Sequence, residues 1–554
     1  MIIRFDRTPE ELYRLSREAF GRGELERALL YGEDAVRGKG STEYKVSRAE
    51  ILLSMGRYAD AADVALEALC YGAGWRAELY DVLARVSSEL GHFYESLHYL
   101  AKKAHYEGDD DTLDAMDEVI EELDAEHGMR PVERDFFVVG KEEAPKRSDP
   151  TVLLRANYAL NHGDLSEAIR IASSVEKGSE RYVDARMICL RAYLKRKDSA
   201  LAEGTAEEII GLEPKNGFAL YVLIDRFKRK EYVPLLAGVE EDGSEVYYAI
   251  LAAESISDHA LSMRLAKRLI EANKYVPGAY FVAAAVALNG GDKKGSESYL
   301  RTLFSFYRKY PQEVVLAGWR RLGKCAVGFS GRMPVEIVRI LERYVAKHAK
   351  TAEEFITSMM TDEAFRASVS LVLEDGGRKL NAKIVSFLAE GGNRQVDAFF
   401  AKALLHYDVD LILKREIFAA LYFRKDKGRL FVAQSVVPVR VSCLKPPHFA
   451  EYPHSLRLAY SEAFSFLTCM TDALCESRLQ KLTERISRLE GAEDLSTDVI
   501  IGAYLYRLLA EGLIPVGADA PSEEDACRFF LHFIFGYRRT NMSRVRLLAA
   551  IIAD

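Results

Sequence analysis

The sequence lacks the long apolar runs of exported and membrane proteins. Residues Met1 to Arg7 contain no apolar core of the length that a signal peptide needs. The longest nearly uninterrupted apolar stretch, Ala279 to Leu288, has ten residues and is followed by Asn289-Gly290-Gly291. Ten residues are too few to cross a bilayer, so this stretch predicts a buried helix. We therefore expect a cytoplasmic protein, in the style of bacterial proteins, with no membrane partner.

Cysteine pairs with the spacing of a metal-binding or redox motif are also missing. The seven cysteines are scattered, and no two of them have the two-residue spacing of a zinc knuckle or a redox motif. Most lie in apolar helical stretches, where a free thiol behaves as a small hydrophobic group. The sequence predicts reduced core thiols and no metal ligands.

Motifs for nucleotide binding and for hydrolysis are absent. The chain has no glycine-rich loop followed by Lys-Ser/Thr and no Gly-x-Ser-x-Gly elbow. His92, His98 and His105 lie along one predicted helix, but His98 and His105 are about 10 Å apart, too far to bind one ion. We interpret these three histidines as surface side chains.

A second group of polar residues follows the prolines at 446–447. His448, Glu451 and His454 lie near Cys443, and such a set could belong to a hydrolase. The alternative is a proline-rich connector with exposed polar side chains, which we favour. The sequence thus predicts no catalytic residue, no cofactor-binding residue and no metal site.

A chain-wide excess of positive charge is missing as well. The net charge is −8, and residues 109–126 alone contain ten Asp or Glu and no Lys or Arg. Binding to a nucleic-acid backbone depends on clustered cations. We therefore expect no nucleic-acid partner.

The most informative feature present is a repeat in the first hundred residues. Gly23, Gly56 and Gly91 are 33 and 35 residues apart. Two residues after each glycine comes an apolar side chain, and five residues after it comes a small one. These residues are Leu25, Tyr58 and Phe93, and then Ala28, Ala61 and Ser96. A period near 34 indicates one structural unit repeated along the chain.

The third unit shows how such a unit folds. Leu79, Val82, Leu83 and Val86 recur at three- and four-residue steps, which predicts a first helix ending at Gly91. A second stripe starts at Phe93 and continues through Leu97, Leu100, Ala101 and Ala104. Two short helices cannot bury their stripes alone, so the units are expected to stack.

These units resemble tetratricopeptide repeats (TPRs), which are helix-turn-helix units of about 34 residues with a turn glycine and small residues at the helix contact. The resemblance covers residues 8–311. It implies three repeats in 1–107 and about five, some degenerate, in 151–311. Gly163 and Gly291 mark turns in the second block, whereas the turn Arg196-Lys197-Asp198-Ser199 has lost its glycine.

Residues 108–150 separate the two blocks. Leu113, Met116, Ile120 and Leu123 predict an amphipathic helix with an acidic outer face, which would cap the first block. The proline-containing linker that follows includes the apolar tetrad Phe136–Val139. This tetrad either docks on the surface of the protein, which we favour, or occupies a groove in cis as a ligand-like peptide.

The remaining chain is predicted to contain a helical region at 312–428, a β-hairpin at 429–445 and a C-terminal helical region at 446–554. The last part has only a general likeness to HEAT-type helix pairs. The fold class is therefore all-α: an α-solenoid of TPR-like helix pairs followed by an irregular helical C-terminal region with one small β-hairpin.

In proteins with this kind of repeat, the first helices line a concave face that holds a peptide or a partner helix. The resemblance therefore implies partner-binding residues on the first helices of this chain. They are Tyr13, Arg17, Glu50, Asp81, Arg85, Asn157, Arg191 and Lys195. Their mixed charge favours a protein or peptide partner. We predict a non-enzymatic scaffold; the alternative is a ligand-sensing or catalytic module in the C-terminal region, regulated by the repeats.

Overall fold

The computed structural model describes most of the chain. The described residues are 7–106, 111–116, 118–119, 152–153, 156–157, 159–160 and 163–553, the last range with gaps at 240–242, 326, 328, 331–332, 392, 425–428, 435, 443–444, 447, 471–472, 515–521 and 538.

The first block consists of three antiparallel helix pairs. The helices are α1 (Pro9–Gly21), α2 (Leu25–Gly38), α3 (Thr42–Ser54), α4 (Tyr58–Tyr71), α5 (Arg76–Glu89) and α6 (Phe93–Tyr106). Gly23, Gly56 and Gly91 connect the two helices of each pair with φ angles of 73°, 70° and 74°. Side chains with a Cβ resist this left-handed conformation, which is why glycine recurs there.

The small residue five positions after each glycine lies at the contact between the two helices. Ala28 and Ala61 are fully buried. Ser96 Oγ donates a hydrogen bond to the carbonyl of Ala84, and Ser296 in the eighth unit donates to Ala284 in the same way. The identical bond in units three and eight shows that both belong to one repeated design.

The second block continues the same architecture. Its helices are α7 (Leu165–Ala172), α8 (Tyr182–Arg196), α9 (Ser199–Leu212), α10 (Gly217–Tyr221), α11 (Gly243–Ser255), α12 (His259–Ala272), α13 (Pro277–Asn289) and α14 (Lys293–Phe306). In units five and seven, Lys197 and Ser257 take the left-handed turn position that glycine occupies elsewhere. In unit six, a π-helical segment (Val222–Arg226) and a 3₁₀ helix (Lys230–Gly238) replace a regular pair of α-helices.

The ten-residue apolar stretch of the sequence lies inside α13. Every residue from Gly278 to Leu288 is buried there, which confirms the predicted buried helix. Among the residues that the structure describes, no helix has the length and apolar character that a membrane span requires.

The C-terminal half is irregular and mainly helical. Its helices are α15 (Gln312–Trp319), α16 (Val335–His348), α17 (Ala352–Thr361), α18 (Glu363–Asp375), α19 (Arg378–Gly391), α20 (Arg394–Ala403), α21 (Leu411–Arg424), α22 (His454–Met470), α23 (Ala473–Ser487), α24 (Thr497–Ala510), α25 (Glu523–Phe529) and α26 (Met542–Ile551). Two strands, β3 (Arg429–Gln434) and β4 (Val437–Ser442), form the expected antiparallel hairpin with Gln434 opposite Val437. A shorter pair, β1 (Phe329–Ser330) and β2 (Met333–Pro334), was not predicted. The protein is thus an all-α solenoid of TPR-like pairs with an irregular helical C-terminal region.

The acidic segment differs from the prediction in its buried face. Residues 111–116 and 118–119 are helical, but Leu113 is exposed. Thr112 and Val119 are buried instead, and Val119 packs with Met116 against the core of the first block. The buried positions are therefore shifted by about one residue along the sequence from the predicted stripe. Ile120, Leu123 and the Phe136–Val139 tetrad lie outside the described residues.

The first block also contacts later parts of the chain through its second helices, α2, α4 and α6, and the turns before them. We call this contact the junction; its other side is formed by residues 273–310, by Glu374 of α18 and by residues 402–437. The paired residues are Glu26 with Lys274, Asp34 with Arg308, Asp60 with Tyr307, Asp63 with Tyr407, Glu67 with Lys402, and Tyr99 with Val436. The first helices, α1, α3 and α5, carry the predicted partner-binding residues of this block.

Candidate functional site

The predicted residues on α1 and α3 lie together on the first block. Tyr13 stacks on Tyr44 with the ring centroids 4.5 Å apart. Arg17 forms an ion pair with Glu50 at 2.7 Å, and the Arg17 side chain remains 47% exposed. Burial, and then the nearby Glu43 carboxylate, raise the pKa of Tyr13. This group is polar and accessible, but its two opposite charges are already paired with each other.

The predicted residues on α5 are paired in a similar way. Asp81 accepts a hydrogen bond from Lys103 at 2.9 Å and lies 3.7 Å from Arg85. The Arg85 side chain is 58% exposed. Because Asp81 is engaged by two cations, this part of the surface is balanced in charge.

A concavity with a volume of about 900 Å³ lies in the second block. It is formed by residues before α7, by α8 and α11, and by the loop after α9. Its lining residues are Leu153, Asn157, Val183, Asp184, Met187, Ile188, Arg191, Glu213, Pro214, Lys215, Asn216, Val239 and Glu245. We call this concavity the groove. It contains two of the predicted residues, Asn157 and Arg191.

Arg191 is held in place in the groove without being neutralised. Its guanidinium carbon lies 5.3 Å from the centroid of the Phe218 ring, and that ring packs edge-on against Tyr248. A cation over an aromatic face is attracted to the ring but keeps its charge. The Arg191 side chain forms no ion pair with another described residue. It is therefore positioned to bind an acidic group.

The rim of the groove is fixed by hydrogen bonds to backbone. Asn216 accepts from the N–H of Ala219 at 3.0 Å and donates to Glu213 at 3.2 Å. Glu245 accepts from the N–H groups of Gly217 and Phe218. The amide oxygen of Asn216 and the carboxylate of Glu245 accept N–H groups at the start of α10, where unpaired N–H groups need acceptors. These bonds connect the loop after α9 to α10 and α11.

The floor of the groove is apolar, with Val183, Met187 and Ile188 on α8 and Leu153 before it. These residues are not among those predicted from the sequence. Their three- and four-residue spacing with Arg191 on one helix face could have indicated them. Lys195, by contrast, donates to the carbonyl of Leu160 at 3.1 Å and does not line the groove.

The region around the hairpin is filled by its own side chains. Leu430, Val432 and Val436 are buried, and the ammonium of Lys414 donates to the carbonyl of Ala433 at 2.9 Å. This packing gives no support to a binding site for a small molecule between the strands and α21.

The histidines of the sequence analysis take different positions. His448 pairs with Glu451 at 3.2 Å, and both side chains are more than two-thirds exposed. His105 is exposed, but His92 is half-buried and lies 3.0 Å from the hydroxyl of Tyr407. The interpretation of His92 as a surface side chain is therefore wrong, because the junction covers it.

Two further features concern the possible metal ligands and the thiols. Among the described residues, no group of three or more His, Cys, Asp or Glu is placed to hold a metal ion. Cys189, Cys325, Cys475 and Cys527 are buried, and burial raises the pKa of the Cys527 thiol to about 12. Such a thiol is protonated and unreactive at neutral pH.

Comparison with known proteins adds three solved structures. No family model matches the sequence, and no curated protein matches it either. The chain is similar to yeast Tom70 (11% identity, covering 88% of this chain and 98% of that one, TM-score 0.29). It is also similar to the Cut9–Hcn1 hetero-tetramer of the APC/C (12% identity, 86% and 96%, TM-score 0.25) and to the TPR2AB domain of yeast Sti1 in complex with pHSP90 (11% identity, 54% and 97%, TM-score 0.20). At TM-scores this low, nothing is transferred from these proteins to this chain.

Proposed function

We propose that this protein is a non-enzymatic, cytoplasmic scaffold, a divergent relative of the TPR proteins, that binds an extended segment of a partner protein in the groove of its second block. The observation that carries this proposal is the arrangement of Arg191, which lies over Phe218 beside the apolar floor of a groove of about 900 Å³. Extended peptides bind such surfaces through side-chain pockets and a few polar contacts.

The chemistry of the groove favours a particular kind of segment. Arg191 and Asn157 supply hydrogen-bond donors, and neither side chain bonds to another described residue, whereas Glu213 and Glu245 are engaged at the rim. An acidic side chain next to an apolar one would pair with Arg191 and fill the space over Met187. The polar surface of the first block, with Arg17 and Arg85, remains a predicted second contact area.

Selection of random peptides displayed on phage, with the full chain as bait, tests this proposal. We expect enriched peptides to share an acidic residue beside an apolar one. Arg191→Glu should weaken binding of a selected synthetic peptide at least tenfold in fluorescence anisotropy, because a charge-assisted hydrogen bond is replaced by repulsion.

Arg264→Glu is the matched control, since Arg264 is an exposed arginine on the second helix of unit seven, away from the groove. It should bind the peptide like the wild type. Equal loss in both variants, or wild-type affinity in Arg191→Glu, would contradict binding in the groove.

A further inference from the structure

The centre of the junction contains a connected set of charged groups from four distant parts of the chain. Asp60 on α4 accepts a hydrogen bond from the Tyr307 hydroxyl at 2.6 Å. It also lies 3.1 Å from the guanidinium of Arg57 and 3.8 Å from the ammonium of Lys309. Lys309 in turn pairs with Glu374 on α18 at 2.7 Å.

Asp63 lies one turn after Asp60 on α4 and faces His406 and Tyr407, which complete this set. Its carboxylate accepts the backbone N–H of Tyr407 at 2.6 Å and lies 3.6 Å from Nδ1 of His406. The same nitrogen of His406 lies 3.8 Å from Glu374. One histidine therefore lies between a carboxylate of the first block and a carboxylate of the C-terminal half.

These side chains are enclosed but not sealed. The exposed fraction is 4% for Glu374, 14% for Asp63 and 28% for His406. A proton can thus reach the pair of Asp63 and His406 without unfolding of the chain. The groups that face this pair are Asp60 on α4, Lys309 after α14, Glu374 on α18, and the Tyr407 N–H.

We propose that the junction is a pH-sensitive intramolecular contact, in which the pair of Asp63 and His406 takes up a proton when the first block closes on the rest of the chain. Both groups would be separated and hydrated in an opened chain. The inference is independent of the groove, which lies in the second block and shares none of these residues.

The electrostatics give the direction of the effect. Burial raises the pKa of Asp63 to about 6, against the opposing influence of His406 and Lys309. Burial alone would lower the pKa of His406, but the Asp63 and Glu374 carboxylates outweigh it and raise the pKa above the usual 6.5. Both groups therefore hold protons more tightly in the closed chain than in the open one.

Linkage then sets the pH range of the effect. The stability that proton uptake adds to the closed chain is fully present below the pKa that each group has in the open chain. It is lost as the pH rises through the higher pKa of the closed chain. Closure should accordingly be stronger at mildly acidic pH than at pH 8, with Asp63 alone contributing about a fourfold change in the closing equilibrium between pH 5.5 and 8.0.

Hydrogen exchange of the Tyr407 amide in the full chain measures this equilibrium, because its acceptor, Asp63, lies across the junction. The protection factor is normalised at each pH to the urea-unfolded protein. We expect it to fall about fourfold or more from pH 5.5 to pH 8.0 in the wild type. His448→Gln, which changes an exposed histidine beside Glu451, is the control and should follow the wild type.

Asp63→Asn provides a second variant, because its amide oxygen can still accept from Tyr407 while its charge no longer titrates. Its protection should fall less between pH 5.5 and pH 8.0 than that of the wild type, because only His406 beside Glu374 still titrates. If Asp63→Asn fails to fold, as judged by circular dichroism, the wild-type profile still decides. A wild-type protection factor that is constant over this pH range, or an Asp63→Asn profile as steep as the wild type, would overturn the proposal.

Discussion

The turn inside each helix pair depends on a single residue with a left-handed backbone. Five of the turns use glycine at this position, including Gly91 (φ 74°) and Gly163 (φ 85°). Unit five uses Lys197 with φ 64°. A left-handed conformation costs a residue with a Cβ about 1 kcal/mol. The fold therefore tolerates a small local strain in unit five that glycine avoids in its neighbours.

This difference predicts opposite effects for two substitutions. Lys197→Gly should raise the free energy of unfolding by about 1 kcal/mol, because the strain is removed and the exposed lysine side chain forms no ion pair with a described residue. Gly91→Ala should lower it by a similar amount, since a Cβ there meets no neighbouring atom and only the backbone is strained. Urea unfolding followed by circular dichroism measures both. Changes of the same sign in both variants would contradict this account of the turns.

The groove shows what a sequence pattern can and cannot predict about side chains. Asn157 and Arg191 were predicted from the resemblance to tetratricopeptide repeats, whose first helices line the concave face, and both residues line the groove. The contact of Arg191 with Phe218 could not be identified in this way, since it depends on how α8 and α10 pack. Lys195 shares the predicted position but bonds to Leu160, which periodicity cannot reveal.

The hairpin combines a predictable local structure with an unpredictable location. The β-rich runs on either side of Ser435-Val436 predict two strands and a two-residue turn, and the register confirms them. The turn residue Val436 is buried against the first block, where its carbonyl accepts a hydrogen bond from Tyr99, 337 residues earlier in the chain. No local pattern encodes a pairing over such a distance. The π-helical and 3₁₀ segments of unit six are likewise not encoded by a local pattern that we could identify.

Tyr99 allows the contribution of this contact to be measured. Its side chain is fully buried and its hydroxyl lies 2.6 Å from the carbonyl of Val436. Tyr99→Phe removes the donor and leaves a buried carbonyl unpaired, which should lower the free energy of unfolding by about 1–2 kcal/mol. Tyr106→Phe is the control, because Tyr106 on the same helix is 58% exposed. It should change stability by less than about 0.5 kcal/mol, and an equally large loss there would show that the hairpin contact is not responsible.

Across the molecule, the junction holds together segments that are hundreds of residues apart. Its edge carries exposed ion pairs, such as Glu26 with Lys274 and Asp34 with Arg308. Its centre carries the enclosed groups around Lys309 and Glu374. Exposed pairs contribute little because water and salt screen them, whereas an enclosed charge that loses its partner is costly. The centre should therefore determine whether the first block stays closed.

Substitutions at two adjacent residues distinguish the contribution of the enclosed centre from that of the exposed edge. Lys309→Met removes the cation beside Glu374, whose side chain is only 4% exposed. It should lower the free energy of unfolding by about 2–3 kcal/mol, because among the described residues that carboxylate keeps only His406 as a counter-charge. Arg308→Met removes a cation that is 35% exposed, and the expected loss is less than about 1 kcal/mol. Urea unfolding gives both values, and small-angle X-ray scattering should show a larger radius of gyration for Lys309→Met alone. If Arg308→Met opened the chain as much as Lys309→Met, closure would depend on the exposed edge of the junction and the enclosed charges at its centre would not control it.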